Sequence, residues 1–211
     1  MVRDLIDRLV ADLQPVEPLS SARYVGLVGF AVIAALLLVL AAVGYRADLA
    51  QLAGTPFFLW KAGTMLVLGL AAATLLRRLS CPGADGRHAL WAIAAGLLAL
   101  LGGPLLFTLA AQGWAPVTAA MAMDGWHCLA WIALCAVPSW AAAVIWLRRG
   151  APTEIGQAAL AAGLASAGFG AFAFTLVCPH DTIAFVAIWY AASLATITLA
   201  SRWLMPRLIH W

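Results

Sequence analysis

Apolar residues run nearly uninterrupted through six stretches, approximately 24–45, 57–76, 89–110, 128–147, 156–177 and 182–204. A bilayer core takes about 20 helical residues to cross, so the pattern predicts six transmembrane helices. The connections between them are short, and neighbours in sequence are therefore expected to pack as antiparallel hairpins. The fold class expected is an all-α membrane protein, with a transmembrane domain over 23–211 preceded by a separate segment, 1–22.

That first segment has a different period. Leu5, Ile6, Leu9, Val10 and Leu13 share one helical face, while Arg3, Asp4, Asp7, Arg8 and Asp12 cover the other. Pro15 and Pro18 end the helix and begin an extended linker. The acidic residues and the absence of an apolar core with a cleavage site speak against a signal peptide. So short a helix is marginal in water, so it becomes ordered by docking. Interfacial helices usually carry Lys and Arg on their polar face; three Asp against two Arg point first to a protein partner with basic flanks, with packing back on the protein's own cytosolic loops and the membrane surface as alternatives.

Composition agrees with the membrane reading. Hydrophobic residues make up 65% of the chain and charged residues 10%, with mean hydropathy +0.98, far from the soluble range of about half apolar and a quarter charged. The net charge of +3 therefore reports topology rather than a nucleic-acid partner. Ten of the 12 basic residues, Arg3, Arg8, Arg23, Arg77, Arg78, Arg87, Arg148, Arg149, Arg202 and Arg207, fall on the side of the N-terminus. Arg46 falls opposite and Lys61 within a span. Since cytoplasmic loops hold the excess of Lys and Arg, both termini are expected in the cytoplasm.

That orientation sorts the thiols. Cys128 opens the fourth span and Cys178 closes the fifth, both at the outer face, where a disulfide can persist. Cys81 faces the cytosol, and Cys135 lies about 10.5 Å deeper than Cys128 on the same helix, a core position. His127, His180, Asp124 and Asp181 crowd the two outer thiols, and Cys128, Cys178, His127 and His180 form a candidate set for a soft divalent ion. The spacing matches no compact zinc motif, so the residues alone leave open a structural disulfide, a redox- or metal-responsive pair, or chance. Lys61 is read mainly as snorkelling to the outer interface, with pairing to an Asp or a thiolate as the alternative. Pro104 and Pro138 are expected to kink their helices, and Ala159, Gly163 and Ala167 mark a close helix approach.

Enzyme signals are poor: there is no Cys-x-x-Cys, no Gly-x-Ser-x-Gly, no His-Glu-x-x-His and no phosphate-cradling loop. Two rival readings remain beside a sensor, a small-solute or metal transporter and a membrane thiol-disulfide enzyme. Lys61 alone supplies an intramembrane ionisable group for the first, and the second lacks an outer resolving dithiol.

The order of motifs along the whole chain resembles one family. The start at Asp4 with the Pro15–Pro18 linker, Thr55-Pro-Phe-Phe-Leu-Trp-Lys61, Arg148-Arg-Gly-Ala-Pro152-Thr, and Cys178-Pro-His-Asp181 followed by Phe185 and Trp189-Tyr190 together resemble the NrsF-like anti-sigma factors. The resemblance implies a six-span protein of the bacterial inner membrane that negatively regulates an extracytoplasmic-function sigma factor, binding no nucleic acid itself. It implies that the short N-terminal segment, here Asp4, Leu5, Ile6, Asp7, Leu9, Val10 and Leu13, holds the sigma factor. It further implies that two periplasmic cysteines, matched by Cys128 and Cys178, respond to a redox or heavy-metal signal, with no resident cofactor beyond a metal bound there.

Overall fold

A computed structural model describes residues 20–209 of the chain. Helix α1 spans Ser21–Val43, the short α2 Leu49–Leu52, α3 Pro56–Leu79, α4 Arg87–Gln112, α5 Ala115–Ala122, α6 Gly125–Leu147, α7 Ile155–Thr175 and α8 Ile183–Leu208. Helix α8 contains a π-helical turn at Val186–Tyr190. Six of these, all but α2 and α5, are long and apolar enough to cross a membrane. The expected N-terminal docking face, Asp4, Leu5, Ile6, Asp7, Leu9, Val10 and Leu13, lies outside the described residues.

Helix boundaries follow local chemistry. Thr55 caps α3, its hydroxyl accepting from Phe58 N at 3.3 Å, and Pro56 takes the first helical position, where no amide donor is missed. Arg77 and Arg78 close the same helix, where cations complement its dipole.

The centre of the bundle is α7, a run rich in Ala and Gly with most of its side chains buried. In lipid no hydrophobic force drives helices together, so close packing of small residues decides which ones meet. Three glycines of α7 each admit a different neighbour. A Cβ on Gly163 would lie 2.7 Å from Thr198 Cα of α8, one on Gly168 2.7 Å from Gly69 N of α3, and one on Gly170 2.7 Å from Ile132 O of α6. Ala159 and Ala167 are fully buried on the same helix.

This changes the packing expected from short connections. Helices α6 and α8 do flank their sequence neighbour α7, but α3 packs mainly on α7, and α1 rests mainly on α6 and α7, meeting α3 through side chains at one end. A chain of nearest-neighbour hairpins is therefore not what gathers the bundle; the small-residue surface of α7 is.

Pro104 and Pro138 sit inside α4 and α6, which continue through them. Proline at 104 removes the amide that would bond the carbonyl four residues earlier. That carbonyl, Leu100 O, accepts Trp60 Nε1 from α3 at 3.1 Å, which holds the otherwise peripheral α4 to the bundle.

The end of the bundle carrying most arginines is stitched by polar contacts. Trp146 Nε1 donates to Ser80 Oγ at 2.7 Å, Tyr24 Oη to Ala73 O at 2.6 Å, and Arg77 Nη1 to Ser21 Oγ at 2.6 Å. The first residues of α1 are thereby fixed to the last turn of α3.

Candidate functional site

At the opposite end, the turn between α7 and α8 folds back into the bundle. Cys178, three residues past α7, is fully buried, and Cys128, in the first turn of α6, is nearly so. The two side chains belong to the same buried cluster, and the Cys178 sulfur lies 4.0 Å from His180 O. Both are present as thiols, as are exposed Cys81 and buried Cys135. Cys128 and Cys178, matched by sequence position alone, are thus brought together.

Charged groups converge on the same turn. Arg46, on the loop after α1, donates through Nη1 to Cys178 O and through Nη2 to Asp181 Oδ2, each at 2.6 Å. Its Nε also meets Asp48 Oδ1 at 2.6 Å, and this bond holds the Asp48 carboxyl below the ordinary carboxylate range. Lys61 does not snorkel. It is 1% exposed, and its Nζ donates to His180 O at 3.0 Å, lies 3.6 Å from Asp181 Oδ1 and sits 5.2 Å above the Tyr190 ring. Apart from the exterior, the carbonyl and carboxylate of the folded-back turn are what an ammonium at this depth can reach, and they keep it inside.

The Arg46 and Lys61 charges thus face one partly exposed carboxylate, Asp181, while Asp48 on the far side of Arg46 is half exposed. The four charges balance in number, and of the four Lys61 alone is fully buried. The Cys178 thiol responds: it is lowered to about 5, first by the hydrogen bond with Cys128, against burial, and then by the charge of Lys61. The Tyr190 hydroxyl is fully buried beside Cys178 and Thr175 and has no hydrogen-bond partner; Thr175 Oγ1 donates to Ala171 O at 2.8 Å.

The histidines behave differently from the thiols. His127 is exposed and bonded through Nδ1 to Asp124 Oδ2 at 2.8 Å, and the His180 ring stacks on Phe185 with centroids 4.3 Å apart. Among the described residues no group of three or more His, Cys, Asp and Glu could hold a metal ion. His127 is thus drawn to Asp124 and His180 to Phe185, so the expected set of Cys128, Cys178, His127 and His180 is not gathered around one point in this conformation.

Arg46 and Tyr190 were not singled out for the site by the sequence. The signal for Arg46 was present, as the one arginine opposite all the others. Tyr190 carried none beyond its place in a motif. The covering segment α5, expected as part of a loop, is tied to α8 by Trp189 Nε1, which donates to Ala120 O at 3.0 Å. Gly125, opening α6, leaves the space that the Trp189 ring fills.

Comparison with known proteins supplies what geometry cannot. Residues 9–211 match the family NrsF, negative regulator of sigma F. The chain is 36% identical to the anti-sigma-F factor NrsF of Caulobacter vibrioides (strain NA1000 / CB15N), over 99% of this chain and 98% of that one. It is 31% identical to the probable anti-sigma-F factor NrsF of Azospira oryzae, again over 99% and 98%. No solved structure matches it.

Proposed function

Because the chain belongs to the NrsF family of negative regulators of sigma F, we propose that it is a membrane-embedded anti-sigma factor, a regulator and not an enzyme. The observation that carries this reading is the match to that family along nearly the entire length. The six apolar helices anchor it in the bacterial inner membrane, with both termini in the cytoplasm in accord with the distribution of arginines.

Sequestration falls to the N-terminal segment. Leu5, Ile6, Leu9, Val10 and Leu13 enter a groove of an extracytoplasmic-function sigma factor, and Asp4 and Asp7 meet its basic flanks. Bound in this way, the sigma factor is withheld from core polymerase. Cys128 and Cys178 form the signal site, and their oxidation to a disulfide releases the sigma factor. Two thiols in one buried cluster, with no third donor grouped with them among the described residues, favour that redox reading over a metal. To go from 99% bound to 99% free, the reduced and oxidised forms must differ in affinity by about 5.5 kcal/mol.

The test is capture of partners from host membranes by the detergent-solubilised protein, with and without residues 1–21, read by mass spectrometry. The expected result is a sigma factor retained by the full chain alone. No sigma factor in either sample, or equal capture by both, overturns the assignment.

A further inference from the structure

We propose that Cys178 is the nucleophilic thiol of the pair and Cys128 the resolving one, with Lys61 and Tyr190 as positioning residues that hold the Cys178 sulfur ready as a thiolate. This rests on the thiol-responsive reading above and assigns an order within it.

The asymmetry comes from what each thiol faces. Around Cys178, α3 contributes the Lys61 ammonium, the α1–α2 loop contributes Arg46 on the Cys178 carbonyl, and the turn itself contributes Asp181 and His180. Arg46 and Lys61 are matched in number by Asp181 and Asp48, but Lys61 alone of the four is fully buried and so unscreened, and its Nζ shares His180 O with the Cys178 sulfur, at 3.0 and 4.0 Å. Helix α8 contributes the Tyr190 hydroxyl, fully buried and without a partner. A buried donor left unpaired is costly, and a thiolate at Cys178 gives it an acceptor. Cys128 itself supplies a thiol proton from α6. Cys128 has no such buried cation on its own element: it sits in the first turn of α6, where the helix dipole favours an anion and the exposed Asp124 at the N-cap, bonded to His127, opposes one.

With a peroxide as oxidant, the Cys178 thiolate attacks one peroxide oxygen. The S–O bond forms as the O–O bond breaks, and the leaving oxygen takes a proton. The Cys128 sulfur then attacks the Cys178 sulfenic sulfur, the S–S bond forms, the S–O bond breaks, and the oxygen leaves as water with the proton of Cys128. Two electrons pass from the two thiols to the peroxide.

The test uses the full chain in lipid nanodiscs, hydrogen peroxide and dimedone, with the sulfenic adduct located by mass spectrometry. Cys128→Ser should accumulate adduct at Cys178, whereas Cys178→Ser should give little at Cys128. In the Cys128→Ser background, Lys61→Met should slow labelling of Cys178 at pH 7 about tenfold and raise its pH midpoint by about one unit. Tyr190→Phe should slow it severalfold, and Lys61→Arg should restore the rate and midpoint, a rescue that loss of packing alone would not give. Equal labelling of the two cysteines, or a Cys178 rate and midpoint unmoved by both Lys61→Met and Tyr190→Phe, overturns the assignment while leaving a responsive thiol pair. Labelling of neither, with no disulfide in the parent protein, overturns the thiol-responsive reading as well.

Discussion

Arg46 donates through Nη1 to the main-chain carbonyl of Cys178 at 2.6 Å, across 132 residues of sequence. The contact joins the loop that ends α1 to the turn that carries the buried thiol. At its other end α1 is fixed to α3 through Ser21 and Tyr24, and the proposed sigma-binding segment follows immediately upstream. One helix therefore connects the thiol turn with the segment that would answer it.

Arg46→Met should loosen that turn. It strips a charge-assisted donor from Cys178 O and from Asp181, and hydrogen bonds to charged groups contribute about 1.5–3 kcal/mol each. A fall in the thermal midpoint of the detergent-solubilised protein, partly restored in Arg46→Lys, is the expected result; an unchanged midpoint would show that the contact is not formed in solution.

Asp181→Asn should also be damaging. It leaves the fully buried Lys61 ammonium without its carboxylate; breaking one side of a fully buried pair costs about 3–5 kcal/mol, and the partial exposure of Asp181 places the cost below that. Combining it with Lys61→Met should recover much of the lost stability, which a double-mutant cycle by thermal unfolding measures.

The glycines of α7 offer a contrast with an internal control. Gly163→Ala, Gly168→Ala and Gly170→Ala each press a methyl against the backbone of a neighbouring helix, and overpacking of this kind costs about 1–3 kcal/mol. Gly29→Ala and Gly63→Ala, where nothing lies within 4 Å, should be neutral or slightly stabilising because alanine favours helix. Thermal midpoints of the five variants in one detergent decide it.

Stability should also depend on pH through Cys178. Its folded value is lowered to about 5 from an ordinary value of 9.0, so the folded protein releases the proton more readily than the unfolded chain. The resulting stabilisation is complete above about pH 9 and is lost as pH falls through about 5. Thermal midpoints of the reduced protein should rise over that window, and Cys178→Ser should flatten the rise.

Leu9→Asp with Leu13→Asp should abolish sigma-factor capture while leaving the thermal midpoint of the bundle unchanged. Co-purification from membranes with the sigma factor expressed alongside provides the measurement.

The spans were legible because the apolar runs are long and the bilayer fixes their length. The run expected at 57–76 is the helix Pro56–Leu79, and that at 182–204 is Ile183–Leu208. The ends shifted outward because Arg77, Arg78 and Arg207 continue the last turns as cations at helix C-termini, which hydropathy reads as loop. Which helix would sit at the centre was not legible, since hydropathy ranks apolar residues and α7 is selected by small size. Within the site, the pairing of Cys128 with Cys178 followed from their common depth. Burial of Lys61 did not, because it depends on a turn folding back to present His180 O and Asp181, a tertiary event with no local pattern.

The π-helical turn at Val186–Tyr190 sets the aim of that turn in a way no single contact does. A π-turn holds one residue more than the helix on either side of it needs, and one residue is about 100° of rotation in an α-helix. The stretch from Ile183 to Phe185, which leads directly from the thiol turn, is thus out of phase with the seam of Ser193, Leu194, Thr198 and Ser201 that lies buried in the bundle. Deleting one residue from 186–190 would restore a continuous screw and swing the hook carrying Cys178 around the helix axis, away from Cys128. The meeting of the two sulfurs is set by angular register, as the timing of a cam is set by its key.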